Sequence, residues 1–215
     1  MDIIGKKVRL RALERKDMED LRSFHNDPEI GNLLGGWSHP ISTEQQDLWF
    51  AKLAFDHMNL RFAIDTEEDG FIGISTITNI DLKNRSAYHG VIIGKKNMQG
   101  HGYGRDTVMT TMKYAFEELQ LHRLDGDILE HNAPSYKLYV GKCGWKEEGR
   151  KRDHAFRNNQ YYDRIIVGIL RREYNSLCEE TGYFQTKTNH QQPVQLSFID
   201  KKPKEVSLQN KDGAF

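Results

Sequence analysis

Only two cysteines, Cys143 and Cys178, occur in the 215 residues, too few for a disulfide framework. A reduced, cytoplasmic setting is the expectation. No apolar run approaches the length needed to span a membrane, and the N-terminus lacks the basic-then-apolar layout of a signal peptide. Lysine and arginine number 31, and so do aspartate and glutamate. With no basic surplus to neutralise phosphates, nucleic-acid binding has nothing to rest on. The nine histidines are scattered without ligand spacing, so no metal site is expected. What is left is one domain of ordinary size, or one domain with a tail.

Strand and helix patterns follow one another along the chain. Val8 and Leu10 alternate with Arg9 and Arg11 as an opening strand, and Met18, Leu21 and Phe24 mark a short helix. Residues 32–40 read as a loop around Trp37. Ser42 and Gln45 have capping-box spacing, which starts a helix whose expected buried side is Leu48, Trp49 and Leu53. Strand-like segments come next at 61–65, 71–80 and 86–93, with turns at 67–70 and 81–85. A strand at 123–129, a helix over 134–141 with Pro134 in its first turn, and strands at 145–149 and 161–169 complete the pattern. A meander followed by alternating elements predicts an α/β (α+β) fold on a mixed sheet. Residues 184–215 are polar, with Pro193, Pro203 and one strand-like patch at 194–199. They are expected to extend beyond a domain of residues 1–183, either disordered or packed on it or on a neighbour.

The chain is organised around residues 92–105. Ile92, Ile93 and Gly94 end a strand, a polar turn follows, and Gly100, Gly102 and Gly104 open a helix. That helix carries Val108, Met109, Met112, Ala115, Phe116 and Leu119 as one apolar stripe. Alternate glycines let a ligand approach the backbone, and the helix start supplies unpaired N–H groups, which makes an anion site. A flexible turn before an ordinary helix is the other reading of the loop alone. A dinucleotide fingerprint would need a glycine where Arg105 stands, and a P-loop would need a lysine and a hydroxyl residue after the last glycine.

Gln99, Gly102 and Gly104 have the spacing of the acetyl-CoA loop of the GNAT superfamily of N-acetyltransferases, and two further motifs fit in order. Asn132-Ala133-Pro134-Ser135-Tyr136-Lys137-Leu138-Tyr139, followed by Gly144-Trp145, resembles the superfamily's run before its Gly-aromatic pair. Residues 147–150 running into 158–163, with Arg9-Leu10-Arg11-Ala12-Leu13-Glu14, resemble the branch of ribosomal-protein N-terminal, spermidine and nucleotide-sugar N-acetyltransferases. The resemblance spans roughly residues 6–178. It implies about seven strands splayed between the fourth and fifth, helices on both faces, and a homodimer or larger assembly. Two departures stand out. Gly141 reads as an insertion that bends the helix end, and the strand before the cofactor lacks the branch's usual glutamate at Ser86–Gly90.

By the same resemblance, acetyl-CoA is the co-substrate. Its pantetheine arm would pair with Ile92, Ile93 and Gly94 as an added strand would. Its pyrophosphate would sit on N–H groups of Gly100, His101, Gly102, Tyr103, Gly104 and Arg105, with Gln99, Asn132 and Ser135 also binding the cofactor; Asn132 would bond the pantetheine or anchor the loop there. Tyr139 takes the family position of the proton donor to the departing thiolate, a role a phenol can fill because it stays protonated at pH 7. A helix tyrosine packed on the sheet with its hydroxyl in solvent is the alternative. His89 is the candidate base, or else a satisfied sheet residue, with a water chain to Glu130 or bulk solvent in its place. Direct attack by the amine leaves Cys143 no nucleophilic role.

Residues 14–69 hold thirteen Asp and Glu against five Lys and Arg. An acidic rim there would concentrate a cationic acceptor. A small-molecule amine, polyamine or amino sugar, is the expected acceptor, with a protein N-terminus as the alternative. A GNAT-fold module that binds acyl-CoA without turnover is the reading from another class.

Overall fold

Eight strands form one sheet: β1 (Ile3–Ile4), β2 (Arg9–Ala12), β3 (Leu60–Thr66), β4 (Gly70–Asp81), β5 (Ser86–Ile93), β6 (Arg123–Leu129), β7 (Lys146–Arg157) and β8 (Gln160–Leu170). The computed structural model describes residues 1–36, 39–95, 98 and 100–184. Trp37, Gln99 and the patch at 194–199 lie outside the described residues, as does the tail from 185 on. The sheet order is β1-β2-β3-β4-β5-β6-β8-β7. The seven expected strands are all there, with the two-residue β1 added at one edge.

Every neighbouring pair runs antiparallel except β5 and β6. Those two are parallel, and they pair only where Ser86, Ala87 and Tyr88 face Arg123, Leu124 and Asp125. Beyond that point they part. The sheet therefore splays between the fourth and fifth of the expected strands, and the β5 backbone from His89 onward has no strand partner on that side.

The β7–β8 hairpin runs further than the expected 145–149. Asn158 and Asn159 both take positive φ, 49° and 59°, at a two-residue turn whose twist suits a hairpin. Asparagine tolerates that region better than most residues.

Helices cover both faces. On one, α1 (Met18–Asn26) sets Met18, Leu21 and Phe24 against Ala63, Phe71 and Ile74. α2 (Pro28–Leu33) follows, capped by Asp27, and then α3 (Thr43–Lys52) with its Ser42–Gln45 capping box in place. On the other face, α4 (Tyr103–Lys113) and the π-helical turn Tyr114–Glu118 bury the predicted stripe against Ile77, Leu124 and Val167. α5 (Ala133–Lys142) and α6 (Arg171–Thr181) pack beside it. Among the described residues, no helix is long and apolar enough to cross a membrane.

Two local expectations need correction. Leu48 is not buried: it is 59% exposed, while Gln46 takes the buried place on α3. Leu48 and Trp49 instead line a cavity. Gly141 does not bend the helix end, because α5 runs through it to Lys142 and the left-handed residue that ends the turn is Gly144.

One side chain ties the start of α4 to both ends of the domain. Asp106, fully buried, accepts hydrogen bonds from the backbone N–H groups of Lys6, Lys7 and Val8 at 3.0, 2.5 and 2.9 Å. The Tyr183 hydroxyl donates to it as well, at 2.6 Å.

Candidate active site

A cavity of about 810 Å³ opens where β5 and β6 part. Register divides its wall between the two faces of the sheet. Ser75, His89 and Val91 turn toward α4, whereas Thr76, Tyr88 and Gly90 turn toward α3. On the α3 side the lining includes Leu48, Trp49, Lys52 and Arg61. Through the slot it reaches His89, Ser135 and Tyr139.

Tyr139 is buried, and its hydroxyl lies 2.8 Å from Nδ1 of His89. Nε2 of His89 is 3.3 Å from Oγ of Ser75, which is 2.8 Å from Oγ1 of Thr111. Thr111 donates its only hydroxyl proton to the carbonyl of Thr107, at 2.8 Å. That last bond fixes all the others. Ser75 must donate to Thr111, so it accepts from Nε2–H of His89. Nδ1 is then unprotonated and accepts the proton of Tyr139. The alternative of a tyrosine hydroxyl in solvent is ruled out, and His89 is a fully satisfied sheet residue.

Burial sets the chemistry of this chain of bonds. It lowers the His89 pKa from the ordinary 6.5 to about 3, so the imidazole is neutral at any physiological pH. So weakly basic an imidazole, with both ring nitrogens bonded, is ill suited to strip an alkylammonium, which weighs against the reading of His89 as base. Burial also raises the Tyr139 pKa well above the ordinary range for a phenol. The Cys143 thiol is pushed up to about 12, again by burial. It stays protonated at neutral pH and is no nucleophile. Glu130 is engaged elsewhere, accepting from the backbone N–H of Asp163 at 2.7 Å.

Linkage follows with a definite sign. Folded His89 titrates near 3 and unfolded histidine near 6.5, so between those values the unfolded chain binds the extra proton. Its contribution is complete above the unfolded value and is lost as pH falls toward 3, by roughly 5 kcal/mol at most. Denaturant melts across that window are expected to show a shallower loss for His89→Gln than for the unaltered chain. Equal slopes would mean that the imidazole is not held neutral.

The predicted cofactor residues among the described ones fall at the end of β5, before and within the first turn of α4, and at the start of α5. Ile92 lines the cavity, and Ile93 pairs with Gly73 at the end of β5. Gly94 has to be glycine for a packing reason, since a Cβ there would stand 2.0 Å from the Phe24 ring. Gly100 and Gly102 take φ of 86° and 85°, the left-handed region that glycine enters freely. Gly102 is the N-cap of α4, and Gly104 passes close beneath Leu138 of α5. The rings of His101 and Tyr103 stack at 5.9 Å. The Arg105 guanidinium lies over the Tyr183 ring, 5.0 Å from its centroid, and its Nε is buried with no partner among the described residues. Asn132 caps α5 by accepting from the N–H of Ser135 at 3.1 Å, and its amide donates to the carbonyl of Leu33. Of its two expected roles, the loop anchor is the one these bonds occupy.

Residues 7–146 match the acetyltransferase (GNAT) domain family. The chain belongs to that family. This GNAT chain is 30% identical over 178 residues to spermidine N(1)-acetyltransferase of Vibrio cholerae, across 82% of its own length and 100% of the relative's. A putative ribosomal N-acetyltransferase of Bacillus subtilis is 27% identical over 179 residues, covering 80% and 95%. The crystal structure of the Vibrio cholerae spermidine N-acetyltransferase with CoA and spermine superposes with a TM-score of 0.73 at 27% identity. That match covers 80% of this chain and 99% of the other. The GNAT chain is an acetyltransferase.

Several parts of the GNAT site had little or no sequence signal. Residues 33–36 form one wall of the cavity, and with Asn32 they are held by four distant side chains. His131 bonds the carbonyl of Asn32, Asn132 that of Leu33, Arg157 those of Leu34 and Gly36, and Arg164 that of Gly35. Ser75 and Thr111 hold His89 from behind. Buried threonines at 107, 110 and 111 interrupt an apolar helix face, and that was the one available hint.

The acidic rim is a further correction. Among the described residues, none of the thirteen carboxylates of residues 14–69 lines the cavity. Asp17 and Asp65 are tied to Arg11, Asp47 to Arg15 and Asp56 to Arg61. The charged lining is Lys52, Arg61 and Arg164 against the single carboxylate of Asp127.

Proposed function

We propose that the chain moves the acetyl group of acetyl-CoA directly to a primary amine of a small molecule. The observation that carries this is the parted strand pair, with the Tyr139–His89 pair on one side and an open cavity on the other. Free β5 backbone would receive the pantetheine arm and offer an N–H to the developing oxyanion. The helix N-terminus behind Gly100 and Gly102 suits the pyrophosphate. Acetyl-CoA supplies the activated acyl carbon; the chain's residues align it and move protons.

Tyr139 is the proton donor to the departing sulfur. His89 positions it, holding the hydroxyl proton without taking it, until the thiolate forms as a stronger acceptor. The raised phenol pKa is matched by a thiolate that is also desolvated, so the transfer is not badly uphill.

Two acceptor classes compete. The relatives named for spermidine support a polyamine. The lining supports an amino sugar bearing phosphate, because Trp49 offers a sugar ring an apolar face and Lys52 a cation, while Arg61 and Arg164 are already paired with Asp56 and Asp127. We favour the amino sugar. A thiol-release assay with acetyl-CoA tests this against spermidine, spermine, glucosamine, glucosamine 6-phosphate and short peptides. Glucosamine 6-phosphate is expected to exceed spermidine in kcat/KM by about tenfold, the worth of roughly 1.4 kcal/mol. Preference for spermidine would restore the polyamine reading, and preference for peptides would point to protein N-termini.

A further inference from the structure

Asp127 is the one carboxylate in the cavity wall among the described residues. Leu124 and Ile128 of β6 turn into the core under α4, so Asp125, Asp127 and Leu129 face the other way. Arg164 on β8 fixes that orientation, with its guanidinium 3.4 Å from the Asp127 carboxylate and 2.6 Å from the Gly35 carbonyl. The preceding residue marks the fork of the two strands: a Cβ on Gly126 would lie 3.6 Å from the carbonyl of His89. Asp127 thus stands on the acceptor side of the slot, and Tyr139 on the opposite side. Both line the one cavity, and the charge of Asp127 adds to burial and to Cys143 in raising the phenol's pKa.

We infer that Asp127 is the catalytic carboxylate that receives the acceptor amine, holding its ammonium and taking its proton as nitrogen attacks. The inference rests on the acetyl-transfer reading above and completes it, because β5 carries no glutamate for this task. Arg164 keeps the carboxylate fixed without closing it off, as a single 3.4 Å contact leaves acceptor capacity free.

Proton balance is straightforward. A carboxylate, with a pKa of about 4, cannot fully deprotonate a free alkylammonium; the ammonium loses one proton to solvent, and the carboxylate orients the small neutral fraction by accepting a hydrogen bond from its N–H. As the N–C bond forms, the nitrogen's remaining proton becomes acidic and moves to Asp127. The C–S bond then breaks, the sulfur takes the proton of Tyr139, the phenolate recovers one from solvent, and Asp127 returns its own to solvent. Ammonium and thioester become amide and thiol, with one proton released overall.

The test uses Asp127→Asn and Asp127→Glu in the full chain. Each is assayed with the panel amine turned over fastest by the unaltered chain, and with trifluoroethylamine, whose nitrogen is largely unprotonated at neutral pH. Asp127→Asn is expected to lower kcat/KM about a hundredfold on the basic amine and less than tenfold on trifluoroethylamine. Acetyl-CoA affinity and melting temperature should stay unchanged, and Asp127→Glu should recover part of the loss. Equal losses on both amines, or no loss on either, would overturn the assignment while leaving acetyl transfer intact. An unaltered chain inert on every amine would sink the transfer reading, and this one with it.

Discussion

Tyr139→Phe is expected to lower kcat by about a hundredfold or more, with acetyl-CoA affinity within twofold of the unaltered chain. The size follows from what the hydroxyl does. It is the only part of the side chain the substitution removes, and the ring keeps its T-shaped contact with Trp145 at 4.9 Å. Packing is retained, so the loss falls on proton transfer to the sulfur. Nδ1 of His89 is left without its donor, which costs about 1–2 kcal/mol of stability. Stopped-flow acetyl transfer and a melting curve on the same variant separate the two effects. An unchanged kcat would remove Tyr139 from the chemistry and leave solvent as the donor.

Asp106→Ala is expected to have the largest effect on stability, about 3 kcal/mol or more. Three backbone N–H groups and the Tyr183 hydroxyl converge on that one carboxylate. Its removal frees residues 6–8 from α4 and leaves a buried hole beside Thr110. For a domain of this size the fall in Tm is about 6–12 °C. Asp106→Asn should cost less, since one oxygen still accepts. A shift below 1 kcal/mol for the alanine variant, measured by denaturant unfolding, would show that the N-terminal segment is held by its strand pairing alone.

Both residues show where sequence reading succeeds and where it stops. Tyr139 was legible because a local run, from Asn132 to Trp145, sets it on a helix at fixed spacing. The glycine loop was legible for the same reason, as were the capping box at Ser42 and the stripe of α4. Each is a short-range pattern with a local physical cause. Asp106 was not legible, because three of its partners are about a hundred residues away and bond through their backbone, which carries no side-chain signature, and the fourth, Tyr183, is also distant in sequence. Asp127 and Arg164 meet only once β6 and β8 pair. The thirteen carboxylates near the N-terminus misled because net charge along a sequence does not say which side chains are already paired. Leu48 and Trp49 were read as core because an apolar cavity wall and an apolar core have the same composition.

Among the described residues, the side chains that hold the cavity wall at residues 33–36 by hydrogen bonds do so through its main-chain carbonyls, from Asn132, Arg157 and Arg164. An anchor of that kind is indifferent to which side chains the loop bears. Leu33 and Leu34 can therefore be exchanged over generations, altering which amine is welcomed, while the scaffold behind them stays put. Asn132 also begins the helix that carries Tyr139, so such drift would leave Tyr139, the proposed proton donor, where it is. The architecture separates the choice of acceptor from the chemistry performed on it, and lets a lineage change the first at little risk to the second.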